Sequence, residues 1–163
     1  MTLHKTSPFH IAAANGDEDV ADVAEMFREY AATLDVNLDY QDFDAELAGL
    51  PGAYAPPSGA LLIARDDQGN ALGCVGLRKL QTDGVCEMKR LYVRPAGRGM
   101  GLGRALMLAV IDEAKRRGYR EMRLDTLDTM GTAQKIYGEA GFTPIAPYYD
   151  TPVPNTVFLS LSL

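Results

Sequence analysis

The chain has 163 residues, 47% apolar and 23% charged, with a formal net charge of -6. That length suits one domain, residues 1–163, able to bury about 70% of the surface its unfolded chain exposes. The acidic balance argues against a nucleic-acid partner, which calls for a basic stripe, and suits an amine-bearing partner and plain solubility equally well.

Two cysteines, Cys74 and Cys86, stand in apolar strand-like runs and give neither a disulfide framework nor a metal spacing. They read as buried thiols in a reducing compartment. There is no run of about 18 apolar residues and no signal-peptide pattern. The expectation is a cytoplasmic protein with no membrane partner and no metal.

In chain order, residues 9–13 read as a short strand, and Asn15-Gly16-Asp17 as a turn whose acids, Asp17 or Asp19, cap the next helix. Val20, Val23, Ala24, Phe27 and Ala31 recur at helical spacing, which predicts an amphipathic helix over 20–34. A shorter helix is expected over 42–50, stopped by Pro51-Gly52 and followed by a rigid proline-rich loop. Residues 60–65, 71–80 and 85–93 then read as an antiparallel meander, its turns at 66–70 and at Asp83-Gly84.

A glycine-rich stretch, Arg98-Gly99-Met100-Gly101-Leu102-Gly103-Arg104, follows the third strand of that meander. The run it opens, Ala105 to Ala114, is with Leu102 apolar nearly all round and reads as a buried helix, with Lys115-Arg116-Arg117 and Gly118 at its end. Residues 121–126 form a further strand, so the helix before it makes a parallel crossover. Ala133, Ile136, Tyr137 and Ala140 mark a last helical stripe, closed by Gly141. Strands at 142–146 and 156–161 flank the loop 147–154. The sum is a mixed, mostly antiparallel sheet of six to seven strands with about four helices, an α/β (α+β) fold.

A glycine corner that opens a helix bares backbone N–H groups at the positive end of the helix dipole, a natural seat for phosphate. A P-loop would need Gly-Lys-Ser/Thr after a four-residue gap, and that string is absent. A dinucleotide fingerprint would place a third glycine at position 106, which is Leu106. Asp125 does imitate the ribose-binding acid of that fold, but the antiparallel meander leaves too few strand–helix units for two mononucleotide halves.

Arg98-x-x-Gly101-x-Gly103, preceded by Leu91-Tyr92-Val93-x-Pro95 and followed by Ala133-Gln134-x-x-Tyr137-x-x-x-Gly141-Phe142, resembles the Gcn5-related N-acetyltransferase (GNAT) superfamily. The likeness is sharp over 87–142, and the upstream order of elements agrees with it. It implies the acyl-CoA N-acyltransferase fold, with acetyl-CoA in a gap between the fourth and fifth strands. Its pyrophosphate would take backbone N–H groups from Arg98, Gly99, Met100, Gly101, Leu102, Gly103 and Arg104. Pantetheine would run along Leu91, Tyr92 and Val93, with Gln134 beside it. The arginine side chains either add charge there or are simply solvated.

The resemblance also implies Tyr137 as the general acid for the leaving thiolate, its alternative being a core aromatic. Glu87, eleven residues before Arg98, matches a catalytic base of one branch of the family. A salt bridge with Lys89 or Arg90 is the competing account, as is a base acting through water. A backbone N–H near Leu91 to Val93 would polarise the carbonyl. Tyr30, Tyr40, Phe43, Tyr54, Tyr148, Tyr149 and Asp150 are candidates to shape the acceptor pocket. His4 and His10 are isolated. The function implied is acetyl transfer from CoA to a primary amine of a small molecule or protein, by direct attack in a ternary complex. A non-catalytic acyl-CoA sensor is the alternative. Family members often pair through their last strands, so a homodimer is possible.

Overall fold

Three strands that are mostly buried along their length build the centre of the molecule. The computed structural model describes residues 8–34 and 37–163. Strands β2 (Ala60–Arg65), β3 (Ala71–Lys79) and β4 (Val85–Val93) pair antiparallel through the two turns expected of the sequence. The first turn is held by Asp66, whose Oδ1 accepts from the backbone N–H groups of Gln68 and Asn70. The second passes through Gly84 at φ +75, a left-handed position that suits glycine.

The full sheet has seven strands in the order β1-β2-β3-β4-β5-β7-β6. β1 (His10–Ala13) borders β2, and β5 (Glu121–Leu127) borders β4 as the one parallel pair among the described residues. β7 (Thr156–Ser162) inserts between β5 and a two-residue β6 (Thr143–Pro144). The strand anticipated over 142–146 is thus mostly absent as a ladder. Pro144 and Pro147 lack N–H donors, and Ile145 alone continues the pairing by donating to Phe158 O at 2.9 Å.

α3 (Leu102–Arg116) and α4 (Gly131–Ala140) cover one face of the sheet, and α1 (Gly16–Thr33) and α2 (Phe43–Ala48) the other. Leu102, Leu106, Met107, Val110, Ile111 and Ala114 of α3 pack on Leu72, Cys86, Met88 and Met122. Contrary to the expectation of a helix buried all round, α3 lies on the sheet with its outer side in solvent, and Leu108 is 48% exposed. Its apolar surroundings come from one face only, because no layer covers it.

α1 begins at Gly16, four residues before the apolar stripe, with Asn15 as the extended N-cap. Asp19 is not that cap. It reaches back to accept from the Asn15 N–H at 2.9 Å, and with Asp22 it receives Arg65 from β2. At the other end Glu29 takes Arg94, the residue after β4. Phe27, Met26 and Val23 bury the face between these ties, against Tyr54, Ile63 and Cys74.

Candidate active site

The parallel β4–β5 ladder is short. It runs from Val85↔Glu121 to Glu87↔Arg123 and then ends, although both strands continue. From Met88 to Val93 the β4 edge therefore has no strand partner on the β5 side. Two devices hold the strands apart.

The first is a bulge in β4. Between Lys89, opposite Gly76, and Tyr92, opposite Cys74, β4 carries one extra residue, and Arg90 has φ +59. A left-handed arginine costs about 1–2 kcal/mol, so something must offset it. The Arg90 guanidinium is bound to Glu46 of α2 through Nε at 3.1 Å and Nη2 at 3.3 Å, and lies 5.1 Å above the Phe43 ring. The bulge places Lys89 and Arg90 on the α1–α2 face together and turns Leu91 and Val93 to the α3–α4 face. The second device is Gln134 on α4, whose Nε2 donates to Leu127 O at the end of β5, at 2.7 Å.

Beside the freed edge of β4 lies a groove of about 790 Å³, lined by Leu91, Val93, Arg98, Gly99, Gly101, Gly103, Arg104, Met130 and Ile136 among others. Gly99 and Gly101 have φ +80 and +76, and a Cβ on either would meet no protein atom within 4 Å. Backbone geometry, rather than crowding within the chain, is what calls for glycine there. α3 starts at Leu102 with no acidic residue in its first turn, so its unpaired N–H groups face the groove without a competing carboxylate. A diphosphate and an extended pantetheine arm fit these features.

The expected groove residues separate into two groups. Leu91, Val93, Arg98, Gly99, Gly101, Leu102, Gly103 and Arg104 line it. Arg104 also pairs with Glu139 of α4. Met100 packs on the core behind the corner, and Tyr92 turns to α1, where its hydroxyl donates to Glu29 at 3.3 Å. Gln134 lines no part of the groove. Its hold on Leu127 helps set the 129–133 segment that forms the far wall.

Where the strands part, a slot opens through the sheet. It is lined from the α3–α4 side by Met88, Leu124 and Tyr137, and from the other by Tyr30, Gln41, Lys89, Arg90 and Asp125. Leu91 and Met130 belong to slot and groove alike, so the two adjoin. Tyr137 is 7% exposed and meets Phe142 edge to face at 5.8 Å. Burial pushes its phenol well above the ordinary tyrosine range, with the Tyr30 phenol and Asp125 adding smaller effects in the same direction.

Glu87 is 1% exposed and fully engaged. Arg78 donates to its Oε1 at 2.7 Å, Tyr148 donates to its Oε2 at 2.5 Å, and Lys89 Nζ stands 3.9 Å away. Burial and the neighbouring Glu87 charge push the Tyr148 phenol far up, so it stays a donor. Lys89 donates to Gln41 Oε1 at 3.3 Å, and desolvation lowers its pKa. Tyr149 donates to Asp125 at 2.8 Å and accepts from Gln41 at 3.4 Å.

Of the residues expected around the acceptor, Tyr30, Tyr148 and Tyr149 reach this region. Asp150 is exposed and lines neither the slot nor the cavity beside Glu87. Tyr54 is a core residue, and Phe43 lies buried beneath Arg90. His4 and the Tyr40 side chain lie outside the described residues. Sequence reasoning missed Arg78, Arg123 and Gln41. The two arginines were legible only as alternating strand residues, and Gln41 carried no signal. Among the described residues no group of three His, Cys, Asp or Glu side chains could hold a metal ion, and no helix is long and apolar enough to cross a membrane.

A family model described as acetyltransferase (GNAT) family matches residues 21–142. An uncharacterised N-acetyltransferase of Schizosaccharomyces pombe is 42% identical over 161 residues, covering 99% of each chain. A GNAT-family acetyltransferase structure from Staphylococcus aureus superposes with TM-score 0.78 at 20% identity, over 94% of this chain and 98% of its own. An acetyltransferase from Salmonella typhimurium, solved with its cofactor acetyl-CoA, shares the fold at TM-score 0.68 and 23% identity, over 95% and 94%. The chain belongs to the GNAT family and is an N-acetyltransferase. The family uses acetyl-CoA and acetylates amines.

Proposed function

We propose that this chain transfers an acetyl group from acetyl-CoA directly to a primary amine held in a ternary complex. The observation that carries the reading is the slot between β4 and β5, which adjoins the glycine-corner groove on one side of the sheet and is lined by Gln41, Lys89 and Asp125 on the other, with Glu87 beside it at the last paired position.

Bound acetyl-CoA supplies an activated thioester. The backbone N–H groups of residues 99–104 hold its diphosphate; that of Arg98, expected among them, is spent on Pro95 O at 3.3 Å, so Arg98 contributes only side-chain charge at the rim. The open edge of β4 at Leu91 to Val93 pairs with the pantetheine amides and offers an N–H to the carbonyl oxygen as it gains charge. Tyr137, kept protonated by burial, gives its proton to the departing thiolate. Glu87 takes the proton lost by the amine, through water, since both of its oxygens already accept hydrogen bonds. Cys74 and Cys86 are buried free thiols with raised pKa values, unsuited to a covalent route and in keeping with a reducing cytoplasm.

Relatives carry names as different as N-acetylaspartate synthetase and aminoglycoside N(6')-acetyltransferase. The acceptor therefore has to be read from this chain itself. The test of the reading is calorimetry with acetyl-CoA, followed by thiol release with an amine panel for wild type, Tyr137→Phe and Glu87→Gln. Saturable binding with both variants impaired in kcat supports it. Absence of binding to CoA in any form removes it, and full kcat in both variants removes the two assigned roles.

A further inference from the structure

Three charged side chains stand in register across adjacent strands, on the sheet face opposite α3. Arg78 of β3 lies opposite Glu87 of β4, and Glu87 lies opposite Arg123 of β5. The face follows from alternation, because Leu77, Cys86, Met88, Met122 and Leu124 all belong to the core beneath α3. The row reads cation, anion, cation.

The two arginines are only partly used. Arg78 gives Nε to Glu87 at 2.7 Å, and Arg123 gives Nε to Glu121 at 2.6 Å. Neither places a terminal amino group in a hydrogen bond with another described residue. Both guanidinium groups line a cavity of about 470 Å³ together with Lys79, Glu87, Tyr148 and Tyr149. Three cations and one carboxylate thus line a cavity in a chain of net charge -6. Arg123 is further fixed by the Tyr148 ring, 5.6 Å from its guanidinium carbon. Tyr149, which lines the cavity, also bonds to Asp125 and Gln41 of the slot. The cavity therefore adjoins the slot across one aromatic wall.

Terminal guanidinium N–H groups held at fixed angles match a carboxylate, whereas a polyamine or an isolated ammonium would meet like charge here. Glu87 between the arginines complements an ammonium close to that carboxylate. The row is the charge image of a zwitterion. We infer that the acceptor is a free amino acid, its carboxylate gripped by Arg78 and Arg123 in the cavity and its amine turned toward the adjoining slot. The inference rests on the acetyltransferase reading above and narrows its acceptor to one class.

The experiment follows CoA thiol release with acetyl-CoA and three matched series: free L-amino acids, their carboxamides, and the corresponding decarboxylated amines with spermidine. One or more free amino acids should turn over, with kcat/KM for the matching carboxamide about 100-fold lower. Arg78→Lys and Arg123→Lys keep the charge but lose the planar fork. Each should raise the KM for the amino acid about 10- to 100-fold while the KM for acetyl-CoA stays unchanged. Arg123→Lys tests the idea should Arg78→Lys fail to fold, and the carboxamide series needs no variant. Carboxamides or plain amines used as well as the acids would overturn it. So would a protein that binds acetyl-CoA yet acetylates no free amino acid. Both results leave the acetyltransferase standing, whereas loss of acetyl-CoA binding would remove both.

Discussion

Tyr137 is an ordinary phenol given a task by its position. It is buried beside Phe142 and faces the slot, and burial raises its pKa above the usual value of 10. A group raised in this way stays protonated up to and beyond that value, so the acid is available throughout the neutral and mildly alkaline range. Tyr137→Phe should lower kcat about 100- to 1000-fold with little change in KM for acetyl-CoA, as measured by steady-state thiol release. The wild-type kcat profile should show no alkaline fall below pH 10 that the same substitution abolishes. Such a fall would place the ionising phenol lower than its burial permits. Glu87 differs in kind, because its worth depends on three neighbours, Arg78, Lys89 and Tyr148, as much as on its own carboxylate.

At the level of elements, the β4 bulge is the feature on which the slot depends. Arg90 is kept in its left-handed conformation by Glu46, and both side chains are largely buried, 4% and 14% exposed. Glu46→Ala would strand a guanidinium in the interior and should cost about 3–5 kcal/mol, read from urea denaturation. α1 is tied to the sheet differently, by the partly buried pairs Asp19–Arg65 and Glu29–Arg94. The Asn15 N–H and Arg65 hold Asp19 below 3.8, and Arg94 holds Glu29 below 4.5. Groups depressed in this way stabilise the fold above their unfolded values, and that stability is lost as pH falls through their folded ones. Glu29→Gln should therefore lower Tm at neutral pH and make the decline below pH 4.5 shallower. A decline of unchanged steepness would show that this tie does not drive acid unfolding. Gly76 adds a steric constraint. A Cβ there would lie 2.6 Å from the Tyr54 ring, and Gly76→Ala should cost about 1–3 kcal/mol in the same urea assay.

Among the described residues, the central sheet parts between β4 and β5. Groove and slot adjoin at Leu91 and Met130, and on the proposed reading a bound thioester reaches from the α3–α4 side toward a nucleophile on the other face. That reading has the sheet itself separate the two substrates, which meet where β4 and β5 part. CoA should bind only the folded protein, since the bared amides of the corner exist only there. At a concentration 100-fold above its Kd it should add about 2.7 kcal/mol of stability, seen as a dose-dependent rise in Tm. A Tm indifferent to CoA would count against the groove as its seat.

What the sequence determined by itself is local. The hairpin turns at 66–70 and at Gly84, the glycine corner, the helices and the motif from Leu91 to Phe142 all rest on residues close together in the chain, where periodicity and turn chemistry act directly. The family, and the location of the groove, followed from those strings. The tertiary structure alone decided the rest. It inserted β7 between β5 and β6, reduced β6 to two residues, left Leu108 in solvent, and bound Gln134 to Leu127 rather than leaving it to the groove. It also brought Arg78, Glu87 and Arg123 into one row, through strand registers that no single segment encodes. Register depends on how whole strands bury their faces against α1 and α3, and a one-residue bulge at Arg90 is enough to redirect every side chain after it.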